Sequence, residues 1–175
     1  MKYVLSAIVL AITLVQPLWA ADGPPPVNPD TNHHSEADTQ EIGRPGRPDD
    51  VTRTIEVRLY DTQSGRMIFE PRGLYVKTGT TVRFKIVNVG LVEHEFFVGN
   101  PHQISEHRKW MQDNPDMEHS GPNSVSLQRG QSGEVLWAFD TPGPVDFACL
   151  VPGHFEAGMR GLIIVNDLPA FGNRG

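Results

Sequence analysis

The chain has 175 residues, a formal net charge of −6, 17 Gly, 15 Pro and a single Cys. That length suits one domain with a tail. The acidic balance argues against nucleic acid or anionic lipid as the main partner, and one cysteine excludes an internal disulfide framework.

Met1 to Ala20 reads as a secretory signal peptide. Lys2 supplies the charged start, Tyr3 to Val15 the apolar stretch and Leu18-Trp19-Ala20 the cleavage box. The stretch is short of the roughly 20 residues that a membrane span needs. The expected mature product is periplasmic, monomeric and without stable membrane insertion. Residues 21–50 read as a disordered tail, rich in Pro and Gly and poor in large apolar side chains. Within it, His33 and His34 lie near Glu36 and Asp38 and are either solvated or an accessory copper site.

From Val51 the pattern changes to period two. Ile55, Val57 and Leu59 alternate with charged residues, as do Val82, Phe84 and Ile86. Val135, Trp137 and Phe139 repeat the pattern, Val145, Phe147 and Cys149 follow, and Leu162 and Ile164 close the series. Alternation of this kind marks strands with one buried face. Turn signals at Ser64-Gly65, Thr78-Gly79, Arg129-Gly130 and Pro142-Gly143-Pro144 separate them. The prediction is an all-β sandwich over 51–167, with 168–175 as a C-terminal tail.

Pro101 to Asn123 breaks the alternation, and a short helix is predicted around Gln103 to Asp113. His102, His107, Met111, Met117 and His119 cluster in this segment. With His107 and Met111 spaced i, i+4 on one helix face, two readings stand. One is a helical excursion packed on the sandwich; the other is a second, weaker copper site.

The chemistry concentrates at the run Cys149-Leu150-Val151-Pro152-Gly153-His154-Phe155-Glu156-Ala157-Gly158-Met159. A thiolate, an imidazole and a thioether share one loop. Cys149, in phase with Val145 and Phe147, points inward. His94 lies upstream at the end of an apolar strand pattern. Two His and one Cys with a weak, long Met contact are the donors of a mononuclear copper site. An unpaired cysteine in an oxidising compartment is a liability, and metal ligation removes it.

These motifs resemble those of the cupredoxins, the small blue-copper proteins, and the Cys149–Met159 loop is similar to the rusticyanin type. The runs Val92-Glu93-His94-Glu95-Phe96-Phe97-Val98-Gly99 and Pro152 to Met159 resemble periplasmic cupredoxins of bacterial copper tolerance and respiratory electron transfer. The resemblance implies a cupredoxin-like Greek-key β-sandwich of seven or eight strands with one type 1 copper at one end. It implies His94, Cys149 and His154 as equatorial ligands and Met159 as the axial one. One departure stands out. Many cupredoxins carry Asn after the first ligand His, tying that strand to the Cys loop; here the residue is Glu95, which is expected to alter the surroundings of Cys149 or to perturb His94.

No enzymatic signature accompanies the site. Ala148 and Leu150 flank Cys149 where multicopper oxidases and nitrite reductases often carry a bridging His. Two functions remain. The first is an electron carrier between periplasmic redox proteins, such as a c-type cytochrome or terminal oxidase, with His154 as the electron port and adjacent apolar side chains as a docking patch. The alternative is a copper-binding protein of copper tolerance with an accessory His/Met site.

Overall fold

The computed structural model describes residues 41–62, 64–114 and 121–167. The expected signal peptide, most of the N-terminal tail with His33 and His34, the residues Met117 and His119, and the C-terminal tail all lie outside the described residues.

In chain order the strands are β1 (Arg44–Pro45), β2 (Val51–Asp61), β3 (Met67–Glu70), β4 (Gly73–Lys77), β5 (Thr80–Asn88) and β6 (His94–Gly99). One helix follows, α1 (Pro101–Asp113), and then β7 (Ser124–Leu127), β8 (Ser132–Phe139), β9 (Gly143–Ala148) and β10 (Arg160–Asn166). They form two five-stranded sheets, ordered β1-β8-β5-β2-β3 and β4-β10-β9-β6-β7. The architecture is the expected all-β sandwich with one helical excursion, with ten strands among the described residues in place of seven or eight. The sandwich also begins before Val51. Ile42 is buried, its carbonyl accepts the Trp137 indole N–H at 2.8 Å, and β1 pairs with β8. Part of the stretch expected as tail, from Ile42 to Pro45, is thus packed on the sandwich.

The alternating residues of β2, β5, β8 and β9 fill the space between the sheets. Val57, Leu59, Val82, Phe84, Ile86, Phe139 and Phe147 are almost fully buried. Phe69, Phe84, Phe96 and Phe147 meet in tilted and edge-on contacts with centroids 5.1–5.9 Å apart. Each such pair adds about 0.5–1.5 kcal/mol beyond its burial.

In β10 the phase is opposite to expectation. Ile163 and Val165 face the core while Leu162 is exposed. Four successive apolar residues, Leu162 to Val165, carry no phase of their own. Pairing with β9 supplies it: Ile163 lies opposite Val145 and Gly161 opposite Phe147. Cross-strand partners share a face, and at Gly161 a Cβ would collide with the Phe147 ring.

Helix α1 covers the outer face of the second sheet. Asn100 caps it reciprocally with Gln103, accepting from the Gln103 N–H at 2.8 Å, and Pro101 opens the first turn. The helix thus starts two residues before the expected position. Ile104 and Met111 pack with Phe97, Ala148 and Leu150 in a second apolar cluster. Strand β6 is consequently buried on both faces. His94, Phe96 and Val98 turn toward the main core, and Glu95 and Phe97 turn toward the helix.

Candidate metal centre

Three elements bring the site together at one end of the sandwich. His94 is the first residue of β6 and Cys149 follows the last residue of β9. His154 lies on the loop that leads to β10. Backbone bonds close this loop on itself: Cys149 N–H donates to the Met159 carbonyl at 3.1 Å, and Met159 N–H donates to the His154 carbonyl at 3.0 Å. His154 N–H donates in turn to the Val151 carbonyl at 3.0 Å. Gly153 and Gly158 take positive φ, 87° and 94°, a region that favours glycine. The turns are therefore set by sequence, and backbone bonds fix the course of the loop.

The donor atoms of His94, Cys149 and His154 all lie within 4.8 Å of one another. Nδ1 of His94 is 3.2 Å from Nδ1 of His154, and the Cys149 sulfur is 3.4 Å from that same His154 nitrogen. His94 and Cys149 are fully buried, as is Met159 at the loop's end. Among the described residues, this is the one place where three His, Cys, Asp or Glu donors converge. A soft thiolate with two imidazoles is a donor set that copper satisfies.

The environment favours neutral imidazoles. Burial pushes His94 below the ordinary histidine value, against the opposing pull of Asp61. His154 is pushed down to about 4, by burial first and the His94 charge second. Burial lifts the Cys149 thiol to about 12; the Glu95 and Val151 N–H groups oppose this, and the Glu95 and Glu93 charges reinforce it. Both imidazoles are thus ready donors at neutral pH. The thiol keeps its proton until a cation displaces it, so loading releases a proton.

One residue of the site was not legible in the sequence. Asp61, at the end of β2, places Oδ1 3.3 Å from His94 Nε2 and accepts the Leu91 N–H at 2.7 Å. It holds the outer nitrogen of the ring and turns Nδ1 toward Cys149 and His154. A carboxylate behind a ligand imidazole fixes its tautomer and orientation. Asp61 is 33 positions from His94 and ends an ordinary alternating strand, so no local signal marks it.

Glu95 does not approach His94 as expected. It points to the opposite face of β6. Its N–H donates to the Cys149 sulfur at 3.3 Å, and its Oε2 accepts the Leu150 N–H at 3.3 Å. The tie that the Asn makes in many cupredoxins is thus made here by a carboxylate. Phe96 and Phe97 divide likewise: Phe96 lies in the main core and Phe97 under the helix.

The helical His/Met residues disperse. His102 pairs with Glu106 along the helix at 3.4 Å, His107 meets Glu95 at 3.0 Å, and Met111 is buried in the helix-side cluster. The described residues of this segment do not form a second set of converging donors.

A family model described as copper binding proteins, plastocyanin/azurin family, matches residues 56–166. The chain is 44% identical over 133 residues to a copper-resistant cuproprotein CopI of Rubrivivax gelatinosus, covering 76% of this chain and 78% of that one. It is 34% identical over 160 residues to a copper-resistant cuproprotein CopI of Pseudomonas aeruginosa, covering 75% and 86%. Among solved structures, auracyanin B superposes with a TM-score of 0.57 at 27% identity, over 73% of this chain and 96% of that one. The chain belongs to the plastocyanin/azurin family of copper-binding proteins, and copper is its cofactor. Among the described residues no helix is long and apolar enough to cross a membrane.

Proposed function

We propose that this is an exported copper-tolerance protein that holds one copper ion at a type 1 site. His94, Cys149 and His154 are the equatorial ligands and Met159 the weak axial one. The observation that carries the reading is the convergence of the three donors within 4.8 Å, on a loop closed by its own backbone bonds. Two relatives that share about three quarters of the chain bear names of copper resistance, which favours tolerance over the carrier reading.

When bound, copper supplies a one-electron Cu(II)/Cu(I) couple. The residues do the rest. Asp61 orients His94, the Glu95 and Val151 N–H groups direct their dipoles at the sulfur, and the burial of His94, Cys149 and Met159 excludes water. The rim offers Val89, Leu91 and Val92, all well exposed, on the turn whose Leu91 N–H meets the Asp61 that holds His94. A partner can dock there close to a ligand ring. That rim supports the second reading, a carrier of single electrons between periplasmic redox proteins, such as a c-type cytochrome or terminal oxidase, and the two roles are compatible.

The test is growth of a strain lacking the gene on rising copper, complemented with the parent chain or with Cys149→Ser. Tolerance predicts sensitivity that the parent rescues and the variant does not. A deletion strain as resistant as the wild type would remove the tolerance reading. Fast self-exchange by a tightly held single copper, with no growth phenotype, would support the carrier instead.

A further inference from the structure

Glu95 is fully buried, although it lies on the side of β6 that faces away from the main core. Helix α1 covers that face, and the two carboxylate oxygens reach different elements. Oε2 accepts the Leu150 N–H, one residue beyond Cys149, at 3.3 Å. Oε1 lies 3.0 Å from Nε2 of His107 on the helix. The His107 ring is held in turn, stacked on Phe97 at 4.5 Å with planes 12° apart and parallel to Trp110 at 5.9 Å. A buried carboxylate is tolerated only where its oxygens are satisfied, so the helix and the strand end depend on each other.

We propose that His107 is a positioning residue for the copper site, acting through Glu95 as a strut between helix α1 and the end of the Cys149 strand. The inference rests on the copper reading above. The helix is not a passive cover: through this contact its packing fixes the height of Leu150 and so the placement of the sulfur. Groups one contact removed from a metal's ligands alter affinity by about 10- to 100-fold. The strut lies on the opposite side of β6 from the Asp61–His94 contact, so the two act on different ligands.

Four variants test it: His107→Phe, His107→Gln, Glu95→Gln and the double variant Glu95→Gln/His107→Phe. Phenylalanine keeps an aromatic ring between Phe97 and Trp110 and removes the nitrogen. Glutamine at 107 keeps a donor. Glutamine at 95 keeps an acceptor for the Leu150 N–H. The readouts are the hydrogen-exchange protection of the Leu150 amide in the metal-free protein, the position of the visible copper band, and copper affinity by chelator competition.

His107→Phe and the double variant are expected to lose Leu150 protection, shift the band and weaken copper binding about 10-fold or more. His107→Gln and Glu95→Gln are expected to stay near the parent. Should His107→Phe fail to fold, the double variant decides, since it leaves no carboxylate without its imidazole. A double variant that matches the parent in all three readouts overturns the proposal, as does a Glu95→Gln variant as perturbed as His107→Phe. The underlying copper reading fails separately, if the parent chain binds no copper.

Discussion

Asp61→Ala is the perturbation whose size the structure defines most closely. The carboxylate accepts the Leu91 N–H at 2.7 Å and also the Val92 N–H, and faces His94 Nε2 at 3.3 Å. Leu91 and Val92 are exposed, so their amides can turn to water at little cost. His94 is fully buried, and its ring N–H loses its only short carboxylate contact among those described. An unsatisfied buried donor costs about 1–3 kcal/mol, so the metal-free protein should lose about 2 kcal/mol in urea unfolding. The ring is also freed to rotate, which should weaken copper binding about 10- to 100-fold in chelator competition. Asp61→Asn keeps an acceptor oxygen and should lose less than about 1 kcal/mol. If Asp61→Ala unfolds within about 0.5 kcal/mol of the parent and binds copper equally well, the orienting role assigned to Asp61 is wrong.

Replacing Cys149 with Ser should abolish the intense visible band of the copper-loaded protein, and an unchanged spectrum would refute the thiolate site. The metal-free protein should lose stability in acid. His154 binds a proton near pH 6.5 when unfolded and only near pH 4 when folded, so its contribution is intact above pH 6.5 and is lost as pH falls toward 4. After allowance for its partial exposure the loss is about 2 kcal/mol, and His94 adds to it in the same direction. Urea midpoints measured from pH 7 to 4 check this, and a flat profile would contradict it. Phe147→Ala removes a fully buried ring between Phe69 and Phe96 and should cost about 3–5 kcal/mol, read by thermal or urea unfolding.

The five strands legible by alternation, β2, β5, β8, β9 and β10, are all interior strands of the two sheets. Of the five that escaped, β1, β3, β4 and β7 are the edges, and β6 is buried on both faces and so shows no alternation. An interior strand is gripped from both sides and needs a sustained apolar face. An edge strand such as Ser124–Leu127 is short and half-polar, and its neighbour's backbone recruits it. Cys149 and His154 were legible as a pair because the loop that carries them is local, eleven residues from Cys149 to Met159; that His94 meets them is decided by the pairing of β6 with β9. What surrounds them was not legible. Asp61 comes from another sheet, His107 from a helix, and the burial of Glu95 depends on that helix lying over a strand face. The phase of β10 likewise came from Val145 and Phe147 across the ladder. Side-chain identity and spacing are written along the chain, whereas the partner of each polar atom is decided by which elements pack together in space.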